Sequence, residues 1–198
     1  MLPHQPKELL HRKKNEIMGT RGTRPNPSND AINEPELIVD VDNVITAARN
    51  NGYIANCKTD IESIVKDHGI EILIKPMDSA QSGYLTYAND RWVMGINEKH
   101  HPKRRRFTMA HEFAHYYLHK DASHSFEDAT FFRNENLTSI EYAANDFASK
   151  LLMPEEDVRA CIAGGTNELS ALANQFDVSI DAMRNRIKNL GYKTTNDE

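Results

Sequence analysis

The chain has 198 residues, of which 39% are hydrophobic and 27% charged, and a formal net charge of −5. That length suits one ordinary domain with a small appendage, and the composition is that of a globular protein. The negative balance excludes a surface that is basic throughout, so any contact with nucleic acid has to be local. Only two cysteines occur, Cys57 and Cys161. They sit in unrelated sequence contexts without a CxxC or other thiolate zinc spacing; two buried free thiols are the expected reading, and a disulfide between them is the alternative. No apolar run has the length of a signal-peptide core or of a membrane span, so the expected location is the cytoplasm, away from the membrane.

Residues 1–36 carry Pro3, Pro6, Pro25, Pro27 and Pro35 among Lys, Arg and Asn. Such a segment buries too little apolar surface to offset the entropy of ordering, and is expected to be a mobile tail. Leu9, Leu10, Ile17 and Met18 leave room in it for a short helix. From Leu37 the pattern becomes globular. Val41, Val44, Ile45 and Ala48 fall at helical spacing, with Gly52 as a stop. Thr59 and Glu62 have the spacing of a capping box for a second helix running to Gly69. Three short strands follow, near Ile70–Ile74, Gly83–Tyr87 and Arg91–Ile96, and Asn89-Asp90 suggests a hairpin between the last two. In the last strand Trp92, Met94 and Ile96 share one face.

After Pro102 two strong helices are predicted, over about 104–119 and 138–152, the second capped by Thr138 or Ser139 and stopped before Pro154. Shorter helices follow at about 155–163, 167–175 and 179–190. The first strong helix holds His111-Glu112-Phe113-Ala114-His115. Residues four apart lie on one helix face, about 6 Å apart along the axis, so both imidazoles can reach one zinc ion. Glu112 lies beside that face, where a general base would take a proton from the attacking water. For this composition chance supplies about 0.03 HExxH matches, and Phe107, Ala110, Ala114, Tyr117 and Leu118 give the helix an apolar stripe on its other side. A histidine pair packed in the core is the plain alternative.

A catalytic zinc normally has three protein ligands and one open position. His119 lies too far along the same straight helix to join the other two, and no glycine turn follows His115 as the metzincin arrangement requires. Glu141 is the better third ligand. It stands beside the stripe Ile140, Ala143, Ala144, Phe147 and Leu151, with Asn145 one turn on. The pair resembles the Glu-xxx-Asp/Asn arrangement of gluzincin peptidases, in which the Glu binds zinc and its neighbour holds a ligand histidine in place. The alternative is a solvated helix residue.

The order of these signals resembles the ImmA/IrrE family of metallopeptidases, from about Leu37 to Tyr192. It runs from a hairpin ending near Ile96-Asn97 through Arg106-Phe-Thr-x-Ala-His-Glu-x-x-His and Glu141-Tyr-x-Ala-Asn-x-Phe-Ala to Leu151-Leu-Met-Pro154. Phe113-Ala114 replaces the family's usual Leu-Gly or Leu-Ala, a change that leaves the chemistry intact. The resemblance implies an α+β fold, in which a small antiparallel or mixed sheet packs on a helical, zincin-like core (37–158) and a helix-turn-helix-like segment follows (159–193). It further implies one zinc ion, and cleavage of a helix-turn-helix repressor of the XRE type or an antitoxin partner that controls stress, phage or mobile-element genes. The competing reading is a regulatory DNA- or protein-binding component with a non-catalytic metal site.

Other signals are less specific. Trp92, Val93 and Met94 are expected to offer main-chain hydrogen bonds to an extended substrate. The run His100–Arg106 reads as a solvated or salt-bridged face with acidic neighbours at the helix start. In the C-terminal segment Arg184, Arg186, Lys188 and Lys193 oppose Glu168, Asp177 and Asp181. A surplus of one cation is thin cover for a phosphate backbone, so packing or substrate recognition is expected there rather than DNA binding. Tyr116 and Tyr117 are candidates for orienting substrate, against core packing for at least one of them. His124 has no visible partner spacing.

Overall fold

The computed structural model describes residues 41–119, 125–127 and 135–193, all within one compact unit. The tail expected over 1–36 and His124 lie outside the described residues. Val41, Val44, Ile45 and Ala48 form the buried face of α1 (Val41–Asn50), as their spacing requires. A two-residue hairpin follows, β1 (Ile54–Ala55) with β2 (Lys58–Thr59), turned at Asn56 and Cys57, whose φ angles are 50° and 64°. Sequence patterning missed this hairpin because each strand is too short to show a period. α2 (Ile61–Asp67) is capped by Asp60, which accepts a hydrogen bond from the Ser63 amide, and not by the expected Thr59. Thr59 is buried, and its hydroxyl donates instead to the Leu151 carbonyl at 3.0 Å.

The main sheet contains β3 (Glu71–Lys75), β4 (Gly83–Ala88), β5 (Arg91–Asn97) and β6 (Ser125–Glu127), in the order β3-β5-β4-β6. β3 runs parallel to β5, and the other pairs are antiparallel. The β4–β5 turn is Asn89-Asp90, both at positive φ (52° and 58°), matching the two-residue turns whose twist suits a hairpin. β5 is paired on both sides, Val93 with Glu71 of β3 and with Thr86 of β4. The expected pairing of β5 with an extended substrate therefore has no open edge to use. Met94 lies fully in the core, and the Trp92 ring packs edge-on against Tyr87 and Tyr116.

Asn97, at the end of β5, is fully buried and organises the segment that enters β4. Its amide nitrogen donates to the Asp78 and Gln81 carbonyls, and its amide oxygen accepts from the Met77 and Lys99 backbone N–H groups. A buried amide with each hydrogen-bonding group engaged specifies one arrangement, because any shift strands a polar atom.

α3 (Pro102–His119) lies beneath this sheet and packs most extensively on α4 (Glu135–Leu152). α4 begins before the expected cap, so Thr138 and Ser139 fall within the helix. Its buried face comprises Ala144, Phe147, Ala148, Leu151 and Leu152, whereas Ala143, expected in the stripe, is exposed. α5 (Glu155–Ala163), α6 (Leu169–Gln175) and α7 (Ile180–Asn189) are the remaining helices of the described residues. A turn at Asp177 (φ 54°) joins α6 to α7, which is capped by the Ser179 hydroxyl. Leu172, Phe176, Val178, Met183 and Ile187 enter the same core cluster as α1 to α4. The buried Arg186 side chain donates to the Met153 carbonyl at 2.9 Å.

The two cysteines correct another expectation. Both are half-buried rather than fully buried, and distant sequence contexts place them side by side. Of the basic run, Arg106 pairs with Asp177 at 3.4 Å and donates to the Thr59 carbonyl, while Lys103 and Arg104 bond the neutral side chains of Asn174 and Ser82.

Phe176→Ala tests whether the C-terminal helices belong to the same body as α1 to α4. Removing this fully buried ring should cost about 3–5 kcal/mol, read as a lower denaturant midpoint for the single unfolding transition. An unchanged transition would mean that α6 and α7 contribute nothing to the core.

Candidate metal centre

The helical spacing of four brings His111 and His115 onto one face of α3, and α4 brings Glu141 opposite them. The two Nε2 atoms are 3.0 Å apart, and Glu141 places Oε2 3.2 Å from His111 Nε2 and Oε1 3.2 Å from His115 Nε2. Two imidazole nitrogens and a carboxylate oxygen form a donor set suited to zinc. Ligand atoms about 2.0–2.1 Å from a tetrahedral ion stand roughly 3.3 Å from one another, close to the observed separations. Among the described residues these three side chains form a group able to hold a metal ion.

The surroundings prepare them for that task. Asn145, one turn beyond Glu141, directs its Oδ1 to His111 Nδ1 at 3.1 Å. A proton on Nδ1 then leaves the Nε2 lone pair directed at the centre. Burial alone would raise the Glu141 carboxyl, but hydrogen bonds from His111 and His115 outweigh it and pull the group down to about 2. Glu141 is therefore a carboxylate, and so an available donor, throughout the neutral range. The His115 side chain is 3% exposed and that of Glu141 27%, so the centre is closed beneath and open on the α4 side. Asn145 is itself exposed.

Glu112 is 1% exposed. It lies against the start of β4, where a Cβ added at Gly83 would fall 3.2 Å from Glu112 Oε1, 2.7 Å from Thr108 Cγ2 and 2.9 Å from the Gly95 carbonyl. Only a glycine lets the strand come this close. Sequence reasoning passed over Gly83, and its one available signal was a glycine opening a strand. α3 is buried from Thr108 to Tyr116, with His111, Glu112 and His115 among the buried residues. His119 is outside the group of three; its ring lies 6.1 Å from that of His115, and burial, then the neighbouring His115, keep it below the ordinary imidazole value. Tyr116 and Tyr117 pack against Phe113 and His68 in an aromatic cluster. Trp92, Val93 and Met94 remain on the doubly paired β5, with Trp92 in the same aromatic cluster.

Residues 65–188 match the family profile described as "Peptidase_M78: IrrE N-terminal-like domain". The chain belongs to this family, the ImmA/IrrE metallopeptidases. No curated protein gives a significant match. Among solved structures, a "Mycobacterium tuberculosis transcriptional regulator" is similar with a TM-score of 0.54 and 19% identity. The match covers 76% of this chain and 47% of that one, so the chain spans about half the length of that protein. At this identity the likeness concerns the fold alone. Among the described residues, no helix is long and apolar enough to cross a membrane.

Glu141→Ala should abolish stoichiometric zinc while leaving the circular dichroism spectrum intact, and full zinc content in that variant would require another third ligand. Asn145→Ala should weaken zinc about 10–100-fold, the scale of losing a ligand's hydrogen-bond partner. Competition with a chromophoric chelator measures both.

Proposed function

We propose that the chain is an endopeptidase with a zincin-like core that hydrolyses peptide bonds with a metal-activated water, using His111, His115 and Glu141 as ligands and Glu112 as general base. The observation that carries this reading is the convergence of two Nε2 atoms and one carboxylate within 3.2 Å of one another, beside a buried glutamate. Zinc held there would polarise the scissile carbonyl and make the attacking water acidic. Glu112 takes the proton from that water on a carboxylate oxygen and returns it to the leaving amide nitrogen. Asn145 holds His111 in the tautomer that ligation needs. The packing of Glu112 against β4 keeps its carboxylate from swinging away and excludes bulk water from its inner side.

The substrate we propose is a helix-turn-helix repressor of the XRE type or an antitoxin of that class, consistent with family membership and with a structural neighbour described as a transcriptional regulator. The two-helix segment α6–α7 serves in this reading as a packing and recognition module rather than as a DNA reader. Support comes from its charges: Arg186 is buried on the Met153 carbonyl, Arg184 pairs with Asp181, and Arg106 takes Asp177. Few cations remain for phosphates.

Glu112→Gln should retain zinc at one ion per chain and lose at least about 10²–10⁴-fold in cleavage rate, the contribution of a general base. The assay is cleavage of a co-encoded repressor, followed by mass spectrometry of the fragments. Undiminished turnover with full zinc content would remove Glu112 from the mechanism. Cleavage of an unrelated protein in place of the repressor would leave the peptidase reading standing and overturn the substrate.

A further inference from the structure

Cys57 and Cys161 are 104 positions apart in the chain, yet their Sγ atoms lie 3.4 Å from each other. Cys57 is at the tip of the β1–β2 hairpin with φ 64°, Cys161 is near the end of α5, and Gln175 from the end of α6 directs its amide Nε2 to the Cys57 sulfur at 3.7 Å. Three elements thus meet at two half-buried free thiols. From contact to a disulfide bond of about 2.05 Å the sulfurs must close roughly 1.4 Å. The shift falls on a two-residue turn, in which only Asn56 and Cys57 lie between the paired residues Ala55 and Lys58.

We propose that Cys57 and Cys161 form a reversible intramolecular disulfide, a modification site whose oxidant is a small disulfide such as oxidised glutathione. Burial, and the hydrogen bond shared with Cys161, push the Cys57 thiol up to about 11. Exchange opens at one thiol of the pair, for instance Cys161. The Cys161 sulfur bonds to one sulfur of the oxidant, whose S–S bond breaks, and the departing thiolate takes the Cys161 proton. The Cys57 sulfur then bonds to Cys161 Sγ and breaks that mixed disulfide, and the second small thiol leaves with the Cys57 proton. The protein dithiol loses two electrons and the oxidant is reduced to two thiols.

The bond would close a loop containing α2, the main sheet, α3 and α4, and therefore His111, His115 and Glu141. Cross-linking so long a loop restricts mainly the unfolded chain. The hairpin is already tied to both metal-bearing helices through Thr59, whose hydroxyl bonds the Leu151 carbonyl and whose carbonyl accepts from Arg106. Oxidation should therefore stabilise the body without moving the metal centre.

The test equilibrates the full chain with mixtures of oxidised and reduced glutathione, quenches with acid, and follows intact mass, peptide mapping and melting temperature. The expected product is a monomer lighter by two hydrogens, with one peptide joining Cys57 to Cys161 and full reversal by dithiothreitol. Its melting temperature should rise by about 5–15 °C, with zinc content unchanged. Cys57→Ser and Cys161→Ser should each show no such rise, and Cys57→Ser should instead accumulate a glutathione adduct on Cys161. Separate adducts on both cysteines of the unsubstituted protein, disulfide-linked dimers, or two thiols unreacted under the most oxidising mixture would each overturn the proposal. These readouts come from the unsubstituted chain, so they stand even where a serine variant folds poorly.

Discussion

The close packing of α3 on α4 is the constraint on which the site depends. Glutamate is a short ligand, and Glu141 can meet two imidazoles of another helix only where the helices run near each other. Ala110 and Ala114 on α3 and Ala144 and Ala148 on α4 are all fully buried. Small side chains let helix axes approach, since the separation depends on the residues at the contact. Phe113 and Phe147, with ring centroids 6.2 Å apart, add bulk to the same core. The close approach and the filled interior together make the 3.2 Å contacts of Glu141 with both histidines possible.

Burial then sets the electrostatics. A carboxylate in this position would be raised by desolvation, and the two imidazoles reverse the sign. The two imidazole nitrogens, 3.0 Å apart, and the carboxylate face a common point, where a divalent ion would accept all three donors at once. The remaining donor atom of His111 goes to Asn145, so the order Glu141, Asn145 along α4 serves ligand and ligand-holder from a single helix face.

The rest of the molecule stiffens this pair of helices. The sheet reaches α3 through the glycine approach at Gly83, and the Asn97 side chain fastens the segment entering that strand with three hydrogen bonds. From the other side, Arg186 and the Phe176 and Met183 side chains fill against the end of α4 and the core. The C-terminal helices share one hydrophobic interior with the helices that carry the site.

Much of this was legible in the linear chain because it is local. A spacing of four between histidines needs only helical geometry, and the place of Glu141 and Asn145 one turn apart on a capable helix follows from the same period. The α4 stripe, the type of each helix and the Asn89-Asp90 turn are likewise written within a few residues. What depends on partners distant in the chain was not legible. Only the tertiary structure showed that β5 lies between β3 and β4 and so has no free edge, because strand order is decided by long-range pairing. Only it showed α3 closed in from Thr108 to Tyr116, because burial of His111, Glu112 and His115 depends on the sheet and on α4. Asp60 replaced Thr59 as cap because Leu151, far along the chain, offered the Thr59 hydroxyl a buried acceptor. Two cysteines with nothing in common in sequence came into contact because the hairpin and α5 pack together. Local periodicity thus determined which residues carry the chemistry, and tertiary packing decided which of them meet.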